Sequence, residues 1–437
     1  MKKILGTAFL ALTFYATNAQ EINIVEYDLE NGLHIILHQD NSAPVISTVL
    51  QYHVGSKDED EGIKGFAHLF EHMLGQETKN MDSGDWFKIY RSRGGSGNAS
   101  TSVDLTSYYV TLPSNSLELA LWRYSEIMLH PIIDQEGIDI QREAVKEEKR
   151  IRDNQPYSRF YEALKSNLFK EHNYKNPLIG VPKHLDNAIL QDFLDFRSNF
   201  YMPSNAVFVV AGDIEIEKTK NLISQYFSAI PAAPKNKRNI VVENPILNEI
   251  RAKEYDPNIQ IPALIIGFRT PSMKSREARV LDLISTYLSD GPSSKLYKRM
   301  VDKNKTALQV QASNIGHEDY SMYYILSLPL GETSLDELSK EIEDEISKVQ
   351  QNLISENDYE KLQNKFENQF VNSNSSVSGI GVSLAEYFTL YGDANLINSE
   401  IEIYRSITRD EIRQVAKKYL NTNQRLVLEY LPENEKK

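Results

Sequence analysis

The sequence predicts an α+β protein built from two similar halves. Apolar residues alternate or form short runs in some segments and recur every three to four residues in others, so the chain contains both strands and helices. A comparable order of strands and helices begins again in the second half, at a spacing of about 200 residues. The 437 residues also exceed what one compact core usually holds. These observations favour two copies of one α+β unit.

The first half begins with a predicted β-hairpin. Segments 22–31 and 33–38 alternate or are apolar on either side of Gly32, which suits a tight turn. The later segments of this half are predicted as strand, helix, strand, helix, helix and strand: Val45–Val54, the segment around His68, Asn98–Leu112, Leu117–Leu129, Asp134–Arg152 and Ala206–Ala211. We therefore expect a sheet backed by helices.

The second half repeats this alternation. Its predicted elements are the strand Ala263–Phe268, the helix Arg276–Leu288, the strand Tyr323–Leu330, the helix Ser334–Leu353 and the strand Arg425–Tyr430. The proline-containing segment Ile230–Asn248 is the predicted linker, and we expect its basic cluster Lys235–Arg238 to be solvated. The predicted domains are therefore residues 20–235, which carry the metal motif described below, and residues 236–437, which do not.

The composition excludes several functional classes. The chain is 41% hydrophobic and 25% charged, as expected for an ordinary soluble globular protein. Its net charge of −13 and the absence of a basic stripe argue against nucleic-acid binding. With no cysteine, the chain can form neither a disulfide nor a lipid anchor on cysteine.

Residues 1–19 are typical of a secretory signal peptide. Two lysines precede an apolar stretch from Ile4 to Tyr15, and small residues follow up to Ala19. The apolar stretch is shorter than the roughly 20 residues that a membrane-spanning helix needs. We therefore expect a secreted protein that has no membrane span once the signal is removed.

The segment His68-Leu-Phe-Glu71-His72 predicts a metal site. On a helix, residues three and four apart lie on one face, so both imidazoles and the Glu71 carboxylate are expected there. Neutral imidazoles bind zinc, which acidifies water, and a nearby carboxylate accepts the proton. The order His-x-x-Glu-His is the inverted zinc-protease motif. Apolar neighbours such as Phe66 and Phe70 let the opposite face of the helix pack.

A catalytic zinc needs a third protein ligand. The other histidines are scattered singly and are predicted to be surface or core residues. The helix Asp134–Arg152 offers four glutamates, and spacing alone does not choose among them: Glu136, Glu143, Glu147 and Glu148.

Several motifs resemble the pitrilysin/insulinase family of zinc peptidases, the inverzincins, which includes mitochondrial processing peptidase and bacterial relatives. The resemblance is dense in the first half and loose in the second. It rests on Gly65-Phe-Ala-His68-Leu-Phe-Glu71-His72-Met73, Gly97-Asn98-Ala99-Ser-Thr101, Arg142–Glu148, Tyr174–Gly180, Tyr201–Asn205 and Val209–Asp213. It implies two homologous ferredoxin-like halves. It also implies that the third ligand is Glu148, about 76 residues after His72, with Glu147 as the alternative.

The same resemblance implies further roles. Glu71 would be the general base, and the strand that holds Asn98 and Ala99 would bind an extended peptide as an added strand. Asn98 would orient that peptide; alternatively, it is a turn residue after the glycine loop. A second family glutamate, seven residues before the ligand, is replaced by Gln141.

One departure from the family concerns the second half. Family members that are complete in one chain or homodimer have an arginine and a tyrosine there, which stabilise the oxyanion. Our alignment puts these positions at Val301 and Leu308, and neither side chain donates a hydrogen bond. Arg299 and Thr306 lie nearby but out of phase. A homologous sister subunit is therefore expected to supply the arginine and tyrosine.

The sequence thus predicts the catalytic subunit of a heterodimeric, zinc-dependent endopeptidase with one zinc per chain. We expect it to be secreted, into the periplasm of a Gram-negative bacterium, and to hydrolyse unfolded peptides. A metal-free scaffold of the same fold is the alternative, although His68, Glu71 and His72 argue against it. A zinc hydrolase acting on small amides is a third class, which would lack the peptide-binding strand.

Overall fold

The computed structural model describes residues 21–234, 238 and 240–436. The predicted signal peptide lies outside these residues, as does the predicted domain boundary at residues 235 and 236. The described chain forms two β-sheets with helices packed against them. This architecture agrees with the predicted α+β class.

In the described residues, the first sheet has six strands in the order β1-β2-β6-β3-β5-β4. They are β1 (Val25–Asp28), β2 (His34–Gln39), β3 (Val45–Tyr52), β4 (Ser96–Thr101), β5 (Thr106–Pro113) and β6 (Ala206–Gly212). The helices of this half are α1 (Phe66–Gln76), α2 (Asp85–Ser92), α3 (Leu117–Leu129), α4 (Gln135–Asp153), α5 (Phe160–Leu168), α6 (Pro182–Asn187), α7 (Leu190–Phe200) and α8 (Ile216–Phe227). Strands β2 and β6 pair in parallel and the other neighbours are antiparallel.

The second sheet has the order β7-β11-β8-β10-β9. Its strands are β7 (Ile250–Asp256), β8 (Ala263–Pro271), β9 (Ala307–Ile315), β10 (Tyr320–Pro329) and β11 (Leu426–Pro432). The helices of this half are α9 (Arg276–Ser289), α10 (Leu335–Gln351), α11 (Glu356–Ser373), α12 (Val377–Glu386), α13 (Glu400–Arg405) and α14 (Arg409–Tyr419), with π-helical segments at Tyr297–Lys303 and Tyr387–Tyr391. Across the described ranges, every helix is too short or too polar to span a membrane.

The structure differs from the sequence prediction in several elements. The segment Asn98–Leu112, predicted as one strand, forms β4 and β5, because the amide of Ser102 donates to the carbonyl of Leu105 at 2.7 Å and closes a turn. Of the described helices that were not predicted, which are α2, α5–α8 and α11–α14, α11 is the longest. It buries one residue, Leu362, so its apolar periodicity is weak.

Each sheet is covered on one face by a helix from the other half. Ile380 and Leu384 of α12 form a buried cluster with Val49 of the first sheet. In turn, Leu164 of α5 is buried with Ile265 of the second sheet. The remaining face of each sheet carries helices of its own half. Because the two halves complete each other's cores, they form one packed unit.

The linker is attached to both halves. The carboxylate of Glu243 accepts hydrogen bonds from the amides of residues 170–172 at 2.7–2.8 Å and pairs with Arg269 at 2.8 Å. Arg238 pairs with Asp58 at 3.0 Å. The prediction that the basic cluster is solvated is therefore wrong for Arg238, because a buried acid of the first half lies next to it.

Candidate metal centre

The start of α1 is set by a close contact between two glycines. Gly65 has φ 103° and Gly180 has φ 87°, both in the left-handed region that favours glycine. A Cβ added at Gly180 would lie 2.5 Å from the Cα of Gly65. The backbone therefore approaches closely at the point where α1 begins.

Helix α1 has an apolar face and a polar face. Its buried residues are Phe66, Ala67, Leu69, Phe70, Met73 and Leu74. Phe66 and Phe70 pack against the rings of Phe193 and Phe196. His68, Glu71 and His72 are half-buried on the other face, as the spacing predicted.

Glu148 reaches this face from α4. Its Oε2 atom lies 3.6 Å from the Nε2 atom of His68 and 3.6 Å from the Nε2 atom of His72. One ligand atom from each of the three residues lies within 4.8 Å of the others. Two imidazoles and a carboxylate match the nitrogen and oxygen donors that zinc takes in catalytic sites, so this set fits a zinc ion.

Among the described residues, the other three glutamates of α4 are not part of this cluster. Glu147 is bound to Arg150 at 2.6 Å, and Glu143 to Lys146 at 3.0 Å. The geometry thus distinguishes Glu148 from the neighbours that spacing left open, because one helix presents successive residues to different sides.

The electrostatics of His68 suit a metal ligand. Burial, together with the charges of His72 and Arg152, lowers the pKa of His68 to about 4. The imidazole is therefore neutral near pH 7, and the neutral form is the one that binds metals.

The carboxylate of Glu71 lies on the same face and is held by the neighbouring strand. Thr101 donates a hydrogen bond to its Oε2 atom at 2.5 Å, and the hydroxyl of Tyr108 donates to the Glu71 backbone carbonyl at 3.2 Å. Burial and the charge of Glu148 outweigh the opposing hydrogen bond from Thr101, so the pKa of Glu71 is raised to about 7. A carboxylate with such a pKa can both accept and return a proton near neutral pH.

Asn98 and Ala99 lie in the middle of β4, at the edge of the first sheet. Asn98 is exposed and Ala99 is half-buried. The structure therefore places Asn98 within a strand, whereas the alternative prediction had placed it in a turn. An edge strand has unpaired backbone groups that can pair with an extended peptide.

The aligned positions of the second half offer no side-chain donor. Val301 lies in the first π-helical segment, and Leu308 in β9 is 47% exposed. Arg299, the nearby arginine, binds Glu341 and Glu345 of α10 at 3.1 and 3.0 Å. The guanidinium of Arg299 is thus paired with acidic residues of its own half.

Sequence reasoning missed a charge cluster between the halves. Glu318 binds His53 at 2.7 Å and Lys57 at 2.5 Å, and Asp319 binds His172 at 3.2 Å. The histidines had been treated as isolated because they are far apart in sequence. Sequence reasoning also gave Thr101 no role, although Thr101 belongs to the motif Gly97–Thr101.

Protein-family models match both halves of the chain. A family model described as "Insulinase (Peptidase family M16)" matches residues 34–181. A second model, "Peptidase M16 inactive domain", matches residues 187–366. The metal motif lies within the first match.

The chain resembles proteins named as zinc proteases. It is 27% identical over 436 residues to the zinc protease PqqE of Helicobacter pylori, covering 97% of each chain. It is 22% identical to an "uncharacterized zinc protease" of Rickettsia felis, covering 90% of this chain and 94% of that protein.

Solved structures share the fold. A protease from Helicobacter pylori superposes with a TM-score of 0.88 at 25% identity, covering 94% of this chain and 99% of that one. The periplasmic protease PqqL of Escherichia coli superposes with a TM-score of 0.76 at 17% identity, covering 94% of this chain and 48% of that one. Both halves thus match the same family along the sequence and in the fold, and the chain belongs to the insulinase family of peptidases, family M16.

Proposed function

We propose that this protein is a zinc-dependent endopeptidase that hydrolyses unfolded peptides. The observation that carries the proposal is the position of Glu148, whose Oε2 atom is 3.6 Å from the Nε2 atoms of both His68 and His72. Glu71 supports it, because it lies on the same helical face as the two imidazoles.

His68, His72 and Glu148 would hold one zinc ion per chain. When bound, zinc supplies a Lewis acid that polarises a peptide carbonyl and acidifies water. Glu71 accepts a proton from the attacking water and returns it to the amine that leaves. Thr101 holds the Oε2 atom of Glu71 through a hydrogen bond of 2.5 Å.

Strand β4 would bind the substrate. Its outer edge offers backbone N–H and C=O groups to an extended chain, with Asn98 and Ala99 at its centre. Backbone pairing is nearly independent of side chains, so the substrate class is unfolded peptides of many sequences.

We further propose a homologous sister subunit that supplies the arginine and tyrosine missing at Val301 and Leu308. The size of PqqL supports a pair of such units, because the fold of this chain accounts for 48% of that chain. We propose domains at 20–235 and 236–437, and secretion into the periplasm with the help of a signal peptide at 1–19.

The test combines metal analysis with peptide hydrolysis. Wild-type protein purified with zinc should contain one zinc per chain and cleave a quenched fluorescent peptide once its native companion is present. Glu71→Gln should keep the zinc and lose activity by roughly a hundredfold to ten-thousandfold, the usual contribution of a general base. The matched control is Glu136→Gln, which removes an exposed acid of α4 and should change neither quantity.

Two results would each contradict one part of the proposed function. Absence of stoichiometric zinc from the wild type would favour the metal-free scaffold. Full activity of the purified chain alone would contradict the sister subunit and leave the peptidase proposal intact.

A further inference from the structure

The two ends of α1 are each bound by a deeply buried ionisable side chain. Glu59, which has no exposed surface, lies at the N-terminal end. Its Oε2 atom accepts a hydrogen bond from the amide of Gly65, and its Oε1 atom accepts one from the amide of Ala67, both at 2.9 Å. One carboxyl group therefore satisfies two of the amides that the first turn leaves free.

Arg123 of α3 lies at the C-terminal end and is 1% exposed. Its Nη2 atom donates to the carbonyl of Gly75 at 2.7 Å and to that of Leu74 at 3.5 Å. These carbonyls belong to the last turn, where the helix leaves acceptors free. The cation at the C-terminus also matches the dipole of the helix.

The burial of these groups is unfavourable by itself. Burial raises the pKa of Glu59 to about 8, although the amides of Gly65 and Ala67 oppose the rise. Burial lowers the pKa of Arg123 to about 10, and within the described ranges its Nε and Nη1 atoms have no hydrogen-bond partner. Neither residue forms an ion pair with a described side chain that would account for its burial.

The position of α1 along its axis determines the geometry of the metal centre. His68 and His72 come from α1, whereas Glu148 comes from α4 and its side chain is 49% exposed. Metal and catalytic groups must be held within about 0.5 Å of their working positions. A small shift of α1 would therefore separate both imidazoles from Glu148.

We propose that Glu59 and Arg123 are positioning residues, which hold α1 at the axial position where His68 and His72 meet Glu148. This inference rests on the proposed function, because it assumes that the three residues bind zinc. It assigns a role to two residues whose side-chain hydrogen bonds, within the described ranges, go to the backbone of α1 and its N-cap.

The test measures zinc affinity by competition with a chelator, together with the absorption spectrum of the cobalt-substituted protein and the midpoint of thermal unfolding. The variants are Glu59→Gln, Arg123→Met and the conservative Arg123→Lys. Glutamine would place an amide nitrogen against one of the two backbone donors. Arg279→Met is the matched control, because Arg279 is 6% exposed and pairs with Glu400 at 2.7 Å in the second half.

We expect Glu59→Gln and Arg123→Met to weaken zinc binding by about 10- to 100-fold, the usual effect of losing an indirect support of a metal site. Their cobalt spectra should change, and Arg123→Lys should recover most of the affinity. Arg279→Met should lower the unfolding midpoint and leave the zinc affinity unchanged. If Glu59→Gln does not fold, the zinc affinities and cobalt spectra of Arg123→Met and Arg123→Lys test the inference.

Wild-type zinc affinity in Glu59→Gln and Arg123→Met would overturn the inference, and so would an equal loss of affinity in Arg279→Met. Both results leave the proposed function standing. A wild-type protein that binds no zinc would instead overturn the proposed function itself, and the inference with it.

Discussion

Thr101 donates a hydrogen bond of 2.5 Å to the carboxylate of Glu71. Thr101 is the last residue of the edge strand β4, and Glu71 lies on α1 between the two histidines. The bond therefore joins the strand proposed to bind substrate to the residue proposed to move the proton.

We predict that Thr101→Val lowers kcat roughly tenfold, because a hydrogen bond to a charged group contributes about 1.5 kcal/mol or more. Valine keeps the shape of threonine and removes the donor. Steady-state hydrolysis of a fluorescent peptide measures the effect, with zinc content as a check that the centre is intact. Thr101→Ser should restore most of the rate. A valine variant with the wild-type kcat would contradict the role of this bond.

A second prediction separates two adjacent acids of α4. Glu148→Gln should lose bound zinc, because it removes the only carboxylate of the three-residue centre. Glu147→Gln should keep it, since Glu147 is bound to Arg150 on another side of the helix. Metal analysis after gel filtration is the measurement. If Glu148→Gln keeps zinc and Glu147→Gln loses it, the third ligand is Glu147.

Stability should be shared between the halves. Leu384 of α12 is fully buried against the first sheet, so we expect Leu384→Ala to lower the free energy of unfolding by about 3 kcal/mol. Both tryptophans, Trp86 and Trp122, belong to the first half, and their fluorescence in a urea titration therefore reports on that half. Leu353→Ala, at a position that is 44% exposed, is the control. An unchanged tryptophan transition in Leu384→Ala would mean that the halves unfold independently.

The charge cluster between the halves predicts acid sensitivity. Burial raises the pKa of Glu318, but its bonds with His53 and Lys57 outweigh burial and bring the pKa below the ordinary 4.5. A carboxylate with a lowered pKa in the folded state contributes fully above pH 4.5, and its contribution is lost as the pH falls towards the folded-state value.

Glu318→Gln should therefore reduce stability at pH 7 by about 2 kcal/mol and make the decline below pH 4.5 shallower than in the wild type. Urea unfolding measured from pH 7 downwards tests both effects. Glu332 is exposed, so Glu332→Gln is the matched control. It should leave the loss of stability at low pH unchanged. If the free energy of unfolding falls equally steeply at low pH in the wild type and in Glu318→Gln, another group causes the acid sensitivity.

Local patterns predicted much of the fold. The helix Leu117–Leu129 has the bounds that its apolar periodicity predicted, and β6 and β8 follow from short apolar runs. Helix α11 escaped prediction because a helix with one buried residue carries little periodicity. The turn between β4 and β5 escaped because Ser102 and Leu105 close it inside a segment of strand-forming residues.

The sequence by itself determined that two imidazoles and one carboxylate share a face of α1, because helical spacing is a local property of the backbone. It left four acids of α4 open as the third ligand, and the family resemblance chose Glu148. Only the tertiary structure brought the Glu148 carboxylate to 3.6 Å from both imidazoles, tied Thr101 to Glu71, and gathered His53, Lys57 and Glu318 between the halves. These contacts join residues far apart in the chain, so they depend on how helices and sheets pack, which no local pattern encodes.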